Sequence, residues 1–301
     1  MDSSASTYCG YVALIGRPNV GKSTLLNRLL GMKLSITSRK PQTTRHNLLG
    51  IDTQGAYQAL YVDTPGIHEP GSRSVNRYMV RSALAALRDV DLAVLLVDRD
   101  QFNDGDELVL RRLTDAGVPA LVALNKVDRL TNKALLLPAI EALEQRFPFE
   151  AFVPLSATTG EGVENLRQAV HERLPAGPWQ FPADQLTDQS QRFLVAEIVR
   201  EKLMRRLGAE LPYDLTVQLE HYREEAELVD VAANIYVEKA SQKQIVIGRG
   251  GTKLKSIGAE AREAIEALVG QRVMLRLWVK VRPGWSNDER ALERLGYGSD
   301  K

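Results

Sequence analysis

Apolar positions in the first half of the chain fall in short β-rich runs separated by helical stretches. From Tyr11 the runs are YVALI, LAVLLVD, ALVALNKVD and AFVPLSA, and helix-like segments such as STLLNRLLG and EGVENLRQAVHERL lie between or after them. Strands alternating with helices predict a doubly wound, mostly parallel sheet covered by helices. Two further runs, HNLLGID and YQALYVD, are joined by the turn-forming TQGA. They read as a hairpin, which places one antiparallel strand at the edge of a mixed six-stranded sheet. After Leu174 the composition shifts to PAGPWQFPADQLTD, a proline-rich stretch without apolar periodicity, and this is read as an interdomain linker.

The second half has a different rhythm. QRFLVAEIVREKLMRRL predicts an amphipathic helix whose apolar face carries Phe193, Leu194, Ala196, Ile198, Leu203 and Leu207. Two strand-like runs follow, DLTVQLEHY and LVDVAANIYVEKA, and then QIVIG, GRGG, the helix TKLKSIGAEAREAIEALVG and a last strand, RVMLRLWVKVRP. The order is α-β-β-α-α-β, with the two later helices meeting at the glycine-rich loop. The expected domains are 8–175, a linker over 176–190, and 191–301.

At 301 residues the chain is long enough for two cores. The single cysteine, Cys9, excludes an intramolecular disulfide, and the N-terminus lacks the basic and then apolar run of a secretory signal, so a cytoplasmic setting is expected. No apolar run approaches bilayer length. The net charge of +1 conceals a basic region: between Lys239 and Arg282 ten Lys or Arg stand against three Glu, an excess of seven. On charge alone this is either a phosphate-facing surface or a solvated basic face.

Candidate chemistry begins at Gly16-Arg17-Pro18-Asn19-Val20-Gly21-Lys22-Ser23, which matches GxxxxGK[ST] between a predicted strand and a predicted helix. Such a loop turns backbone N–H groups toward phosphates, and the helix that follows adds its positive dipole end. Lys22 would reach the β and γ phosphates and Ser23 would ligate Mg²⁺, with Thr24 next in the nucleotide site. Asp63-Thr64-Pro65-Gly66 follows a strand, so Asp63 can hold Mg²⁺ through water and the Gly66 N–H can meet the γ phosphate. Asn125-Lys126-Val127-Asp128 ends another strand on the ligand-binding side of the sheet. Asp128 can accept two hydrogen bonds from guanine, Asn125 would brace the loop and the stem of Lys126 would cover the base. Ser156 and Ala157 complete the base pocket with a backbone N–H. Between the first two motifs the polar stretch Ser38–Arg45 suits a loop that orders around γ phosphate, and of its two threonines Thr43 rather than Thr44 is expected as the second hydroxyl ligand of Mg²⁺ and a catalytic contributor.

The residue after DTPG is Ile67, which cannot orient water by hydrogen bonding. Asn19 would then either ligate a monovalent cation, K⁺, against the phosphates or merely shape the loop. In the second half Gly248-Arg249-Gly250-Gly251 forms a GxxG turn flanked by Lys243, Lys253 and Lys255, a pattern suited to pressing backbone N–H groups and cations against single-stranded RNA.

Taken together, GRPNVGKS, PQTTRH, DTPG, NKVD and SA followed by IGRGGTKLKSIG resemble the bacterial Era GTPases, from about Tyr11 to Tyr297. The resemblance implies a P-loop GTPase domain followed by a type II KH domain. It also implies GTP and GDP as ligands, binding to the 3′ end of small-subunit ribosomal RNA, assistance in maturation of the small ribosomal subunit, and partial association with the inner membrane. No obligate oligomer is evident. A small-molecule kinase is disfavoured because NKVD reads guanine. A membrane-surface GTPase is disfavoured because neither end carries a lipidation motif or a basic amphipathic helix.

Overall fold

The computed structural model describes residues 6–69, 73–99, 102–208 and 211–297. The chain divides into two compact units. The first comprises residues 1–37, 44–70 and 79–188, and the second comprises 189–301 together with two short segments, 38–43 and 71–78. Residues 298–301 of the expected second domain lie outside the described residues.

The first unit is built on β1 (Tyr8–Ile15), α1 (Lys22–Leu29), β2 (Leu48–Gln54), β3 (Tyr57–Asp63), α2 (Ser74–Ala86, entering it at Met79), β4 (Leu92–Asp98), α3 (Asp104–Ala116), β5 (Ala120–Asn125), α4 (Leu136–Glu144), β6 (Ala151–Pro154) and α5 (Val163–His171). Its six strands run in the order β2-β3-β1-β4-β5-β6, and every pairing is parallel except the edge hairpin β2/β3. This is the mixed sheet expected from the apolar rhythm. Every residue of β4 and of β5 is buried, as central strands covered on both faces require. Ile15, Leu95, Val97, Val122 and Leu124 form the core beneath the carboxyl ends of the strands, where the motifs sit.

The proline-rich stretch after Leu174 is not a free tether. Leu186 accepts from the Ile51 N–H at 2.9 Å, Thr187 Oγ1 donates to Leu49 O at 2.6 Å, and the Gln58 carboxamide bonds the backbone of Gln180 and Phe181. Residues 176–188 thus run along the edge of the first unit's sheet and cover it.

The second unit has α6 (Gln191–Arg206), β7 (Leu215–Glu224), β8 (Leu228–Val237), α7 (Ala240–Ile247), α8 (Thr252–Val269), β9 (Arg272–Val281) and α9 (Glu289–Arg294). The three strands form one sheet in sequence order, β7/β8 antiparallel and β8/β9 parallel, which is the α-β-β-α-α-β pattern of a type II KH domain. The buried apolar residues of α6 are Leu194, Val195, Val199, Leu203 and Met204, with Leu207 buried just after it, whereas Phe193, Ala196 and Ile198 are only partly buried. Leu194, Leu203 and Leu207 of the expected face are thus buried while its other three positions are not, and Arg200 and Glu201 are buried as well, in ion pairs with Glu197 and Arg205. The terminal helix α9 brings Leu292, Leu295 and Tyr297 onto Trp285 and Val75 within this unit. Among the described residues no helix is long and apolar enough to cross a membrane.

Candidate functional site: a nucleotide cradle and a GxxG groove

The phosphate loop joins β1 to α1, and it needs backbone that only glycine adopts easily. Gly21 has φ 112°, and a Cβ there would collide with the Asn125 side chain. That closeness has a purpose: Asn125 Nδ2 donates to Val20 O at 2.7 Å, while its Oδ1 accepts from the Lys126 N–H at 2.7 Å and the Ala157 N–H at 2.9 Å. One buried carboxamide thus ties the phosphate loop to the segments at Lys126 and Ala157. Ser156 is fully buried and its Oγ accepts from the Thr159 N–H at 3.2 Å. Asp128 is exposed on the turn Val127–Arg129, its carboxylate free to meet a base edge.

Lys22 is buried, and its Nζ donates to Gly16 O at 3.0 Å and Arg17 O at 3.1 Å. Burial lowers its pKa to about 8, against the opposing pull of Asp63. Ser23 Oγ donates to Asp63 Oδ2 at 2.6 Å and lies 2.8 Å from Thr44 Oγ1, and Ser35 Oγ donates to the same carboxylate oxygen at 2.8 Å. Asp63 is fully buried, so its carboxyl is pushed above the ordinary range, and its Oδ1 has no partner among the described residues. Two hydroxyls and a carboxylate with a spare buried oxygen are the hard donors that Mg²⁺ prefers, so these residues fit the ion.

Thr43, expected as the second hydroxyl ligand, is not at this position. Its Oγ1 donates to Lys40 O at 2.6 Å and contacts Ser38 Oγ at 2.7 Å, and its carbonyl accepts from Arg200 Nη2 at 2.6 Å. Thr44 is the threonine that stands beside Ser23. Two adjacent residues in an irregular loop point in different directions, and no sequence pattern tells which faces inward.

Thr64 Oγ1 donates to Leu14 O at 2.8 Å, and Pro65 is buried. Gly66 lies so close to the phosphate loop that a Cβ would stand 2.7 Å from Pro18 N. The Ile67 N–H donates to Gly16 O at 3.3 Å. Three residues outside the motifs also support the cradle. Asp98, at the end of β4, accepts from Lys126 Nζ at 2.6 Å, and the same Nζ donates to Asn19 O at 3.0 Å. Asp106 holds Arg17 Nε at 3.0 Å, and Arg28 donates to the carbonyls of Ala157 and Thr158. Neither periodicity nor a motif marks these partners, because they meet only when separate strand ends converge.

The second unit presents a quite different surface. Gly248, Gly250 and Gly251 all have positive φ, and together with the exposed Arg249 they form a tight turn between α7 and α8. Lys255 is exposed, while Lys243 and Lys253 are half-buried. Beside the turn an open cleft of about 500 Å³ runs between α8 and β9, floored by Leu254, Gly258, Leu275 and Leu277 and edged by Lys255 and Arg262. The loop and the basic residues around it stand out in the sequence, whereas the leucine floor appears only in the fold.

Known proteins share this arrangement. A family profile described as a 50S ribosome-binding GTPase matches residues 11–126, and a KH domain profile matches residues 210–286. The GTPase Era of Pseudomonas aeruginosa is 55% identical over 297 residues, covering 99% of this chain and 97% of its own length. That of Azotobacter vinelandii is 54% identical and covers 99% of both chains. Among solved structures, an Era variant of Aquifex aeolicus bound to GDP·AlF4⁻ superposes with a TM-score of 0.94 at 35% identity, over 97% of this chain and 100% of that one. An Era in complex with MgGDPNP and nucleotides 1506–1542 of 16S ribosomal RNA gives the same TM-score and identity over 97% of this chain and 99% of that one. With motifs, cradle, groove and near full-length identity in agreement, the chain belongs to the Era family of GTPases.

Proposed function

We propose that this GTPase is a switch that grips the single-stranded 3′ end of small-subunit ribosomal RNA and assists maturation of that subunit. The observation that carries the reading is the groove beside the GxxG turn. Its apolar floor suits unstacked bases, and the exposed Lys255 and Arg262 stand along one side for the sugar-phosphate chain. The solved Era bound to 16S ribosomal RNA supports the choice of RNA. In the nucleotide cradle, Asp128 would read guanine and Lys22 and the loop N–H groups would hold the phosphates. Ser23, Thr44 and Asp63 would hold Mg²⁺, which when bound neutralises charge on the β and γ phosphates.

A monovalent cation at Asn19 is a finer part of this reading. Asn19 has φ 66° and its carbonyl is tethered by Lys126, so the residue is fixed at the mouth of the loop. Hydrolysis should then run faster in potassium than in sodium at equal ionic strength, and Asn19→Ala should erase the difference. Equal rates in both salts would remove the cation.

The RNA reading is tested by Arg249→Asp combined with Gly250→Asp. A Cβ at Gly250 meets nothing within 4 Å, and Asp adopts the left-handed φ of 58° more readily than most residues, so the fold should survive at a modest cost in strain. Affinity for a labelled single-stranded RNA should drop about tenfold or more, with a flatter salt dependence, because each lost phosphate contact removes about 0.7 from the slope of log K against log salt. Nucleotide affinity and melting temperature serve as controls. Unchanged RNA affinity in a folded double variant would assign the groove to another partner.

A further inference from the structure

Hydrolysis needs a group that orients the attacking water, and the residue beside Gly66 cannot supply it: Ile67 is 1% exposed and packed into the core of the first unit. The next side chain is His68. Its Nδ1 lies 2.8 Å from Gly66 O. A carbonyl only accepts, so Nδ1 carries a proton, and in the neutral form of the ring Nε2 is then an acceptor. That Nε2 is buried and has no hydrogen-bond partner among the described residues.

The loop that carries this ring is fastened to the phosphate loop. Ile67 N–H and Lys22 Nζ donate to the same oxygen, Gly16 O, at 3.3 and 3.0 Å, and Gly66 is pressed against Pro18. His68 therefore directly follows the residue whose N–H shares Gly16 O with the phosphate-reaching lysine, its ring is held by Gly66 O, and its Nε2 is shielded from solvent. An unpaired buried acceptor at such a place is the kind of exception that calls for a role.

We propose that His68 is a catalytic residue of GTP hydrolysis, its Nε2 accepting a hydrogen bond from the attacking water. The water oxygen forms a bond to the γ phosphorus, and the bond from that phosphorus to the β–γ bridging oxygen breaks, its electron pair leaving with GDP. The water proton passes to Nε2, and the imidazolium returns it to the released phosphate. Histidine here performs the orienting task that a glutamine side chain performs in other GTPases.

The test compares the full-length parent with His68→Leu and His68→Gln in single-turnover hydrolysis, and measures affinity for GDP·AlF4⁻ and for GDPNP. His68→Leu should hydrolyse about 100-fold more slowly or worse, as loss of a positioned acid-base group does. It should also lose affinity for GDP·AlF4⁻ while keeping that for GDPNP, because the contact forms only with the transition state. His68→Gln, whose carboxamide oxygen can accept from water, should stay within tenfold of the parent. Should His68→Leu fold poorly, the ratio of the two affinities in His68→Asn decides in its place, and a selective loss for GDP·AlF4⁻ is expected. The proposal is overturned if the Leu variant hydrolyses within threefold of the parent, if both affinities fall together, or if the Gln variant is as slow as the Leu variant.

Discussion

The two functional regions of this chain are built on opposite principles. In the nucleotide cradle the central polar groups are bonded to other protein groups: the buried Lys22 to two loop carbonyls, Ser23 and Ser35 to the buried Asp63, and the buried Asn125 to three backbone groups. Its ligand must exchange these contacts for its own, so small displacements are costly and discrimination is high. The groove of the second unit presents an exposed arginine and lysine, a three-glycine turn and a leucine floor. RNA bound there as proposed would rest on charge and stacking, which tolerate small changes and respond to salt. A closed polar network suits recognition of one small ligand, and an open groove suits a flexible chain.

The same substitution made in the two regions would break or uphold this contrast. Gly21→Ala places a Cβ against Asn125 at a φ of 112° and forces the carboxamide that ties three segments to move. GDP affinity should fall at least about 100-fold by fluorescence titration, since strain, a broken hydrogen bond and a displaced loop combine. A loss smaller than tenfold would show that the cradle is looser than its bonding implies.

A middle-sized effect comes from the buried lysine. Lys22 has a pKa lowered to about 8 by burial, and only its protonated form attracts phosphate. GDP affinity without magnesium should be complete below that pKa and weaken above it, by about fourfold between pH 7 and 8.5. Stability of the ligand-free protein should move the other way. The unfolded chain, with Lys near 10.5, binds more protons than the folded one between about pH 8 and 10.5, so stability rises with pH through that window. Isothermal titration and thermal melts at the same pH values check both signs, and affinity that stays flat to pH 8.5 would refute the buried-charge account.

The smallest effect is expected at Gly258 in the groove. A Cβ there would meet only Leu277 Cδ1 at 3.5 Å, an ordinary contact, in the interior of α8. Gly258→Ala should stabilise the protein by about 0.5–1 kcal/mol through helix propensity and weaken RNA binding by less than threefold. A tenfold loss of RNA affinity would mean that the groove is as tightly fitted as the cradle.

Much of this molecule was legible in its sequence. Apolar runs of strand length separated by helical stretches specify a doubly wound sheet because a strand buried on both faces must be apolar throughout, as β4 and β5 are. The phosphate loop and NKVD are readable because backbone recognition and base recognition each need particular residues at consecutive positions. The GxxG turn is visible as a motif, and its three glycines all have positive φ in the fold.

What tertiary structure decided was everything that depends on residues distant in sequence meeting at one point. Thr44 rather than Thr43 stands beside Ser23, since hydrogen bonds from Thr43 to Lys40 and from Arg200 to the Thr43 carbonyl turn that residue elsewhere. Asp98, Asp106 and Arg28 brace the cradle from three separate elements, and the unpaired Nε2 of His68 is visible only once Gly66 O has claimed Nδ1. The proline-rich segment 176–188 lies along a sheet edge because Ile51 and Leu49 there offer unpaired backbone groups. Local motifs encode chemistry through neighbours in the chain, whereas orientation, bracing and the pairing of buried polar atoms arise only where the folded chain crosses itself.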